Sequence, residues 1–521
     1  MDKIVTVAGG RVRGVQRGEV WSFSGIPYAQ APEGALRWRP PQPPRSWDGV
    51  RDASSFGPIA PQSLSVPGIG SPADLDGSEP QSEDCLSLNI WTPDVPETLS
   101  PASRRPVMVW IHGGGYTGGS ASNFVYRGGE LVRQGDVVVV TCNYRLGALG
   151  FLGHRELRDA DGFIGNWGLH DQVAALRWVR DHIAQFGGDP GNVTVFGESA
   201  GGFSVSALMG TPGAAGLFRR AIVESGGVHV HTVEEAERTA DRLVAALGLA
   251  ACDRTTLESV PAADLVAATA VVGKRIPDPG MIPLPFLPVV DGSFLPQHPL
   301  TAIEQGAASG VDLLIGTNRD ELTLFGLGDP SLLELDAASL PFLVKHAAPD
   351  MPTEELIETY RQARLDRSET VDPRGLWWAM GTDDVFRWRS LQLAAAQTAQ
   401  GAQTFVYLFE WESPALGGML GSCHALEVPF VFGAVGHPAV QLFTGSGPEV
   451  DTLSALMQHA WLAFARTGDP SHQALGPWPT WDPTTRSTMV FGHQSGAVDG
   501  PRNTELSLWE EHRPLFAPIG S

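Results

Sequence analysis

Val193-Thr194-Val195-Phe196-Gly197-Glu198-Ser199-Ala200-Gly201-Gly202 is the stretch on which the reading of this chain turns. Its first four residues are apolar or β-branched without polar alternation, which predicts a strand buried on both faces. That strand runs directly into G-x-S-x-G and then into small residues suited to a helix start. So sharp a strand-to-helix turn holds Ser199 in a strained conformation with its hydroxyl presented outward. Glycines at 197 and 201 leave room for strand and helix to pass closely. In a chain with 61 glycines the bare pattern says little. Its context is specific, because Ser199 is the one serine with Gly both two residues before and two residues after it, and it follows a buried strand.

Working outward, short apolar runs recur at 107–111, 137–140, 221–223, 313–315 and 405–409. Helical patterns separate them. In 171–186, Val173, Leu176, Val179, Ile183 and Phe186 recur at three- and four-residue steps until Gly187-Gly188 stop the pattern. Further helices are expected at about 233–247 and 454–466. Strand and helix in alternation predict a doubly wound, mostly parallel α/β sheet. Residues 1 to about 100 break into short strand-like runs punctuated by Pro and Gly, read as a collar of strands and loops. The stretch at about 329–400 has helical composition and no sheet signal. It is expected to be a helical insertion over the mouth of a site, within a single unit spanning 1–521.

A serine nucleophile needs donors aimed at the oxyanion that develops on its target, and main-chain amides serve best where no side chain blocks them. Val109-Trp110-Ile111 leads into His112-Gly113-Gly114-Gly115, a buried strand ending in a glycine run. The expected donors are the amides of Gly114, Gly115 and Ala200. A phosphate-cradling loop is the competing reading, and neither G-K-[ST] nor a helix-opening G-x-G-x-x-G follows. The remaining partners should lie at later strand ends, in the order serine, acid, histidine. Asp320 and Glu321 follow the apolar run at 313–315, and spacing alone does not choose between them. Among later histidines, His424 lies in a Gly-rich loop after the run at 405–409, with His437 and His493 as rivals.

Composition excludes several classes. The 521 residues carry 58 acidic against 36 basic side chains, a net charge of −22, which repels nucleic acid and anionic lipid. No stretch approaches the ~18 apolar residues of a membrane span. The opening MDKIVTVAGGRVRGV reads as a strand rather than a secretory signal, so a cytoplasmic location is expected. Cys85, Cys142, Cys252 and Cys423 show no CxxC spacing and are expected as free thiols. No metal or cofactor is called for, and His229-x-His231 reads as a solvated loop. Oligomeric state leaves no mark in the sequence.

Several motifs in one order then resemble a known family. They are Phe23-Ser24-Gly25-Ile26-Pro27-Tyr28-Ala29, Ser82-Glu83-Asp84-Cys85-Leu86-Ser87-Leu88-Asn89-Ile90-Trp91, the His-Gly-Gly-Gly turn, Asn143-Tyr144-Arg145-Leu146-Gly147, the Ser199 elbow and Ala460-Trp461-Leu462-Ala463-Phe464-Ala465. Together they look like the type-B carboxylesterases, whose members include bacterial para-nitrobenzyl esterases and the cholinesterases. The resemblance implies the α/β-hydrolase fold and hydrolysis of small-molecule carboxylic esters through an acyl-enzyme. It implies Glu321 as the acid, as the Glu of an Asp-Glu pair. It implies His424 as the histidine, because Glu427, Phe430, Phe432 and Gly433 follow it as the family's do. Ser225 matches a family serine that supports the acid. Glu198 matches a family carboxylate beside the nucleophile, a position equally suited to a buried hydrogen-bond partner.

Departures narrow the expectation. Ala60 stands where relatives commonly place a cysteine that bridges to the one at Cys85, which agrees with a reducing compartment. No aromatic residue lies between Phe56 and Cys85, which argues against a quaternary ammonium substrate held by cation–π contact. Residues 281–287 lie where relatives build the acyl pocket, implying a lining from Ile282, Leu284 and Phe286, although core packing would use the same residues. Carbamate or amide cleavage by the same three side chains is the alternative chemistry. A non-catalytic binding module is less consistent with all three being present.

Overall fold

The computed structural model describes residues 3–63, 79–96, 100, 104–249, 252–274, 284–326 and 330–515. Among these residues thirteen strands form one sheet. In chain order they are β1 (Lys3–Val7), β2 (Gly10–Arg17), β3 (Val20–Pro27), β4 (Val50–Asp52), β5 (Ser87–Thr92), β6 (Arg105–Ile111), β7 (Val138–Cys142), β8 (Gly188–Glu198), β9 (Arg220–Glu224), β10 (Asp312–Asn318), β11 (Thr404–Phe409), β12 (Ser487–Phe491) and β13 (Gly496–Asp499). They lie in the order β1-β2-β3-β5-β7-β6-β8-β9-β10-β11-β12-β13, with β4 beside β2. From β7 through β12 every neighbouring pair is parallel. β1, β2, β3 and β5 extend one edge antiparallel, and β13 closes the other. The collar expected before residue 100 is therefore part of the sheet itself. Polar residues alternate through β1 and β2, one face being partly exposed, which hid their membership from a search for continuous apolar runs.

The parallel strands are apolar throughout because each face has its own core. Val107, Val109 and Ile111 of β6 pack with Val193 and Val195 of β8, Ala221 and Val223 of β9 and Leu313 and Ile315 of β10 on one side. Met108, Trp110, Phe196, Ile222, Leu314, Phe405 and Tyr407 pack on the other. Each fully buried aliphatic side chain contributes about 1.5–3 kcal/mol, so the two cores together fix the register.

Helices cover both faces. The expected helix at 171–186 runs Trp167–His182 and tightens into a 3-10 turn, Ile183–Phe186, that Gly187 ends in the left-handed region at φ 80°. Val233–Leu247 matches its expected bounds, because Thr232 and Glu235 close a reciprocal capping box and Gly248 terminates it. The helix expected at 454–466 begins earlier, at Pro448, where Pro in the first turn and Glu449 and Asp451 favour an N-terminus that apolar spacing does not reveal. Between β10 and β11 lie helices Leu340–Ala347, Thr353–Asp366, Pro373–Thr382 and Trp388–Ala399, the last two joined by a π turn, Asp383–Arg387. No helix among the described residues is long and apolar enough to cross a membrane.

Candidate active site

β8 ends at Glu198, and Ser199 begins the helix Ala200–Met209 with φ 57° and ψ −126°. A non-glycine residue there stores about 1–3 kcal/mol of backbone strain. Two contacts hold it: Ser199 N donates to Glu224 O at 3.0 Å and Phe203 N donates to Ser199 O at 2.8 Å. Glycine at 201 is compulsory, since a Cβ there would fall 2.0 Å from Ile111 O.

Across β8 from the elbow, β6 delivers the 112–115 turn. His112 is buried and neutral, its imidazolium disfavoured by desolvation to a pKa of about 4, and its ring stacks on Tyr144. Tyr144 Oη donates to His112 O at 2.8 Å, and the amides of Thr117 and Gly118 both donate to Gly114 O at 3.0 Å. Gly114 has φ 106°, and a Cβ would meet Gly118 O at 2.3 Å. Among the described residues the amides of Gly114, Gly115 and Ala200 donate no hydrogen bond. The turn lies against the elbow at Gly113, where a Cβ would fall 3.1 Å from Ser199 Cβ.

β10 and its continuation carry the two acids between which spacing could not choose. Glu321 is fully buried; its Oε1 accepts from Asn318 N at 2.7 Å and its Oε2 lies 2.6 Å from His424 Nδ1. Asp320 faces elsewhere, accepting from Ser422 N at 2.9 Å and pairing with Arg319. Its rivals lie apart from the elbow: His437 caps the helix Pro438–Thr444, and His493 is exposed beside Glu449.

His424 Nε2 lies 3.0 Å from Glu198 Oε1, without the alignment of a hydrogen bond. Among the described residues no hydrogen bond joins Nε2 to Ser199 Oγ; the imidazole stands at the elbow facing the preceding carboxylate. Burial disfavours the imidazolium, but Glu198 and then Glu321 outweigh it, so the His424 pKa stands well above its ordinary value. Phe325 and Phe386 flank the ring, each with its centroid 4.9 Å away.

Ser225 reaches a different carboxylate from the acid. Its Oγ donates to Glu427 Oε1 at 3.3 Å, while Asn318 Nδ2 donates to Glu427 Oε2 and, at 2.7 Å, to Cys423 O. Desolvation, reinforced by Glu198, Glu321 and Glu224, holds the Glu427 carboxyl well above the usual carboxylate range. Asn318 and Glu427 therefore tie the acid to the histidine loop, a role that local sequence did not disclose. Asn318 lies in the same run as Glu321, and its proximity to two strand-end acids was the available signal. Of the expected pocket residues, Ile282 lies outside the described residues, Leu284 is half-buried and Phe286 is buried within the main core. His229 Nε2 sits 2.8 Å from Val385 O, and no group of three metal-ligating side chains occurs among the described residues.

The carboxylesterase family pattern matches residues 1–509. A para-nitrobenzyl esterase of Bacillus subtilis (strain 168) is 39% identical over 99% of both chains. A phenmedipham hydrolase of Pseudarthrobacter oxydans is 36% identical over 95% of this chain and 96% of its own. A Geobacillus stearothermophilus carboxylesterase of known crystal structure superposes with a TM-score of 0.83 at 40% identity, covering 97% of this chain and 99% of that one. Likeness of this extent, joined to side chains gathered at the strand ends of an α/β-hydrolase sheet, makes the chain a member of the carboxylesterase family and a carboxylic ester hydrolase.

Proposed function

We propose that Ser199, His424 and Glu321 are the catalytic triad of this esterase and that the amides of Gly114, Gly115 and Ala200 bind the oxyanion. The observation that carries the reading is the placement of His424, with Nδ1 2.6 Å from Glu321 Oε2 and Nε2 turned to the elbow. Among the described residues Nε2 makes no aligned hydrogen bond and is free to accept the Ser199 proton; catalytic hydrogen bonds often tighten only in the substrate complex. His424 takes the hydroxyl proton as Oγ bonds to the ester carbonyl carbon. It then protonates the departing alcohol, and later takes a proton from the water that releases the acid and regenerates Ser199. Glu321 fixes the Nδ1–H tautomer and stabilises the imidazolium. Ser225 and Glu198 support these groups through Glu427 and His424.

The acyl or alcohol group of a small to medium ester lies against Phe325 and Phe386, the two rings that flank His424. The chain works as one unit, with the helices between β10 and β11 covering the site through Phe386. Ser199→Ala lowers turnover of para-nitrophenyl butyrate by about 10⁴-fold or more. Undiminished turnover by a folded Ser199→Ala protein overturns the assignment.

A further inference from the structure

Glu198 and Glu224 are register partners on the parallel strands β8 and β9. Partners in a parallel pair share a face, as Phe196 and Ile222 do two residues earlier in the same core. Two glutamates thus lie side by side with 3% and 0% of their surfaces exposed. Two ionised carboxylates so placed repel strongly without water to screen them, and the usual resolution is that one keeps a proton. Their neighbours decide which. Glu198 has an imidazole 3.0 Å from Oε1. Glu224 has one neutral donor, Trp461 Nε1 at 2.9 Å from Oε1, and its Oε2 is buried with no partner among the described residues. The other ionisable groups around it are neutral or acidic: Tyr407 from β11, with its hydroxyl held far above its ordinary range by burial, and Glu427. Glu224 also holds the nucleophile, since its carbonyl accepts the Ser199 amide at 3.0 Å.

We propose that Glu224 is a positioning residue that works as the neutral acid, and that its deprotonation on the alkaline side weakens the esterase. Desolvation, partly offset by Trp461 and reinforced by Glu198, raises its pKa to about 8, which places the loss within reach of experiment. Ionisation releases the proton to solvent and sets a second charge against Glu198. The enlarged negative field favours the imidazolium of His424 and so removes the general base. Repulsion between the strand ends also strains the carbonyl that holds the Ser199 amide.

This inference rests on the triad reading, and one experiment separates the two. kcat/KM for para-nitrophenyl butyrate, with uncatalysed hydrolysis subtracted, is measured from pH 6 to 10 on the intact protein and on Glu224→Gln, Trp461→Phe and Ser199→Ala. Gln keeps the neutral shape and the acceptor for Trp461. Glu224→Gln is expected to follow the parent up to about pH 7.5 and then to exceed it, by roughly tenfold at pH 9.5. Trp461→Phe removes a hydrogen bond that favours the carboxylate, so its decline begins at higher pH than the parent's. A Glu224→Gln to parent ratio below about threefold at pH 9.5 overturns the proposal. So does a uniform loss at every pH, or a displaced limb below pH 7, which would mean that Glu224 is already charged there. Full activity in Ser199→Ala instead overturns the triad reading, whatever Glu224→Gln does.

Discussion

Two of the buried charge sites in this protein are built on opposite terms. At one, Arg145 meets Asp171 through two bonds of 2.7 Å, and the Arg145 amide adds a third to the same carboxylate at 3.1 Å. The side chains are 3% and 0% exposed, and cation balances anion. At the other, Glu198, Glu224, Glu321 and Glu427 gather around one imidazole with no arginine or lysine among their hydrogen-bond partners in the described residues. A balanced pair offsets much of its desolvation cost, although burial still holds the Asp171 carboxyl above its ordinary range, and it fixes geometry. An unbalanced group must redistribute protons, and this displaces pKa values at the site of chemistry. The difference teaches that burial of charge alone does not mark function; burial without compensation does.

The comparison breaks first at Glu321. If the carboxylate cluster is there for chemistry, Glu321→Gln leaves the protein folded and lowers kcat by about 10⁴-fold, because the amide no longer fixes the Nδ1–H tautomer nor stabilises the imidazolium. Steady-state turnover beside a thermal melt reads both. A change in melting temperature without a fall in kcat would make Glu321 a structural acid like Asp171.

Asp171→Ala should do the reverse. Removing one partner strands the Arg145 guanidinium in the core and costs about 3–5 kcal/mol of stability, measured by chemical denaturation, while kcat per folded molecule changes less than about tenfold. Replacing both, as Arg145→Met with Asp171→Leu, recovers most of the loss because neither charge is then stranded. A double variant no more stable than Asp171→Ala would mean the pair has a role beyond neutralising itself.

The two sites also differ in how far sequence discloses them. Strands β6 to β11 were legible because burial on both faces writes a continuous apolar run, and β12 and β13 were not, because Ser487, Thr488 and Asp499 interrupt theirs. Ser199 and the 112–115 glycines were legible because the geometry they serve is local, a turn that only certain neighbours permit. The acid proposed for the triad was not, since Asp320 and Glu321 are adjacent on one turn and only the contact with His424, 103 residues on, separates them. Resemblance to a family pointed to Glu321; spacing did not. Trp461 meets Glu224 across 237 residues and Asn318 meets Glu427 across 109, distances over which no periodicity speaks. Phe386 lies in a helical stretch whose pattern reports packing and is silent about the imidazole it flanks.

The smallest effect sharpens the contrast most. The His424 imidazolium is disfavoured by burial and rescued by Glu198 and then Glu321, so its pKa lies well above the usual histidine value. In the proposed triad catalysis needs the neutral ring, and activity is expected to climb as pH rises through that pKa. The same shift adds stability at low pH, below the unfolded value, and that contribution fades as pH rises through the folded one. Glu198→Gln removes the charge at Nε2 and keeps the shape. The acid limb of kcat/KM should move down by roughly one pH unit, a tenfold gain at the foot of the profile. The low-pH stabilisation should shrink in step. A limb that stays in place would assign the shift to Glu321 alone. Glu198 would then be a buried carboxylate compensated by some other contact, as Asp171 is by Arg145.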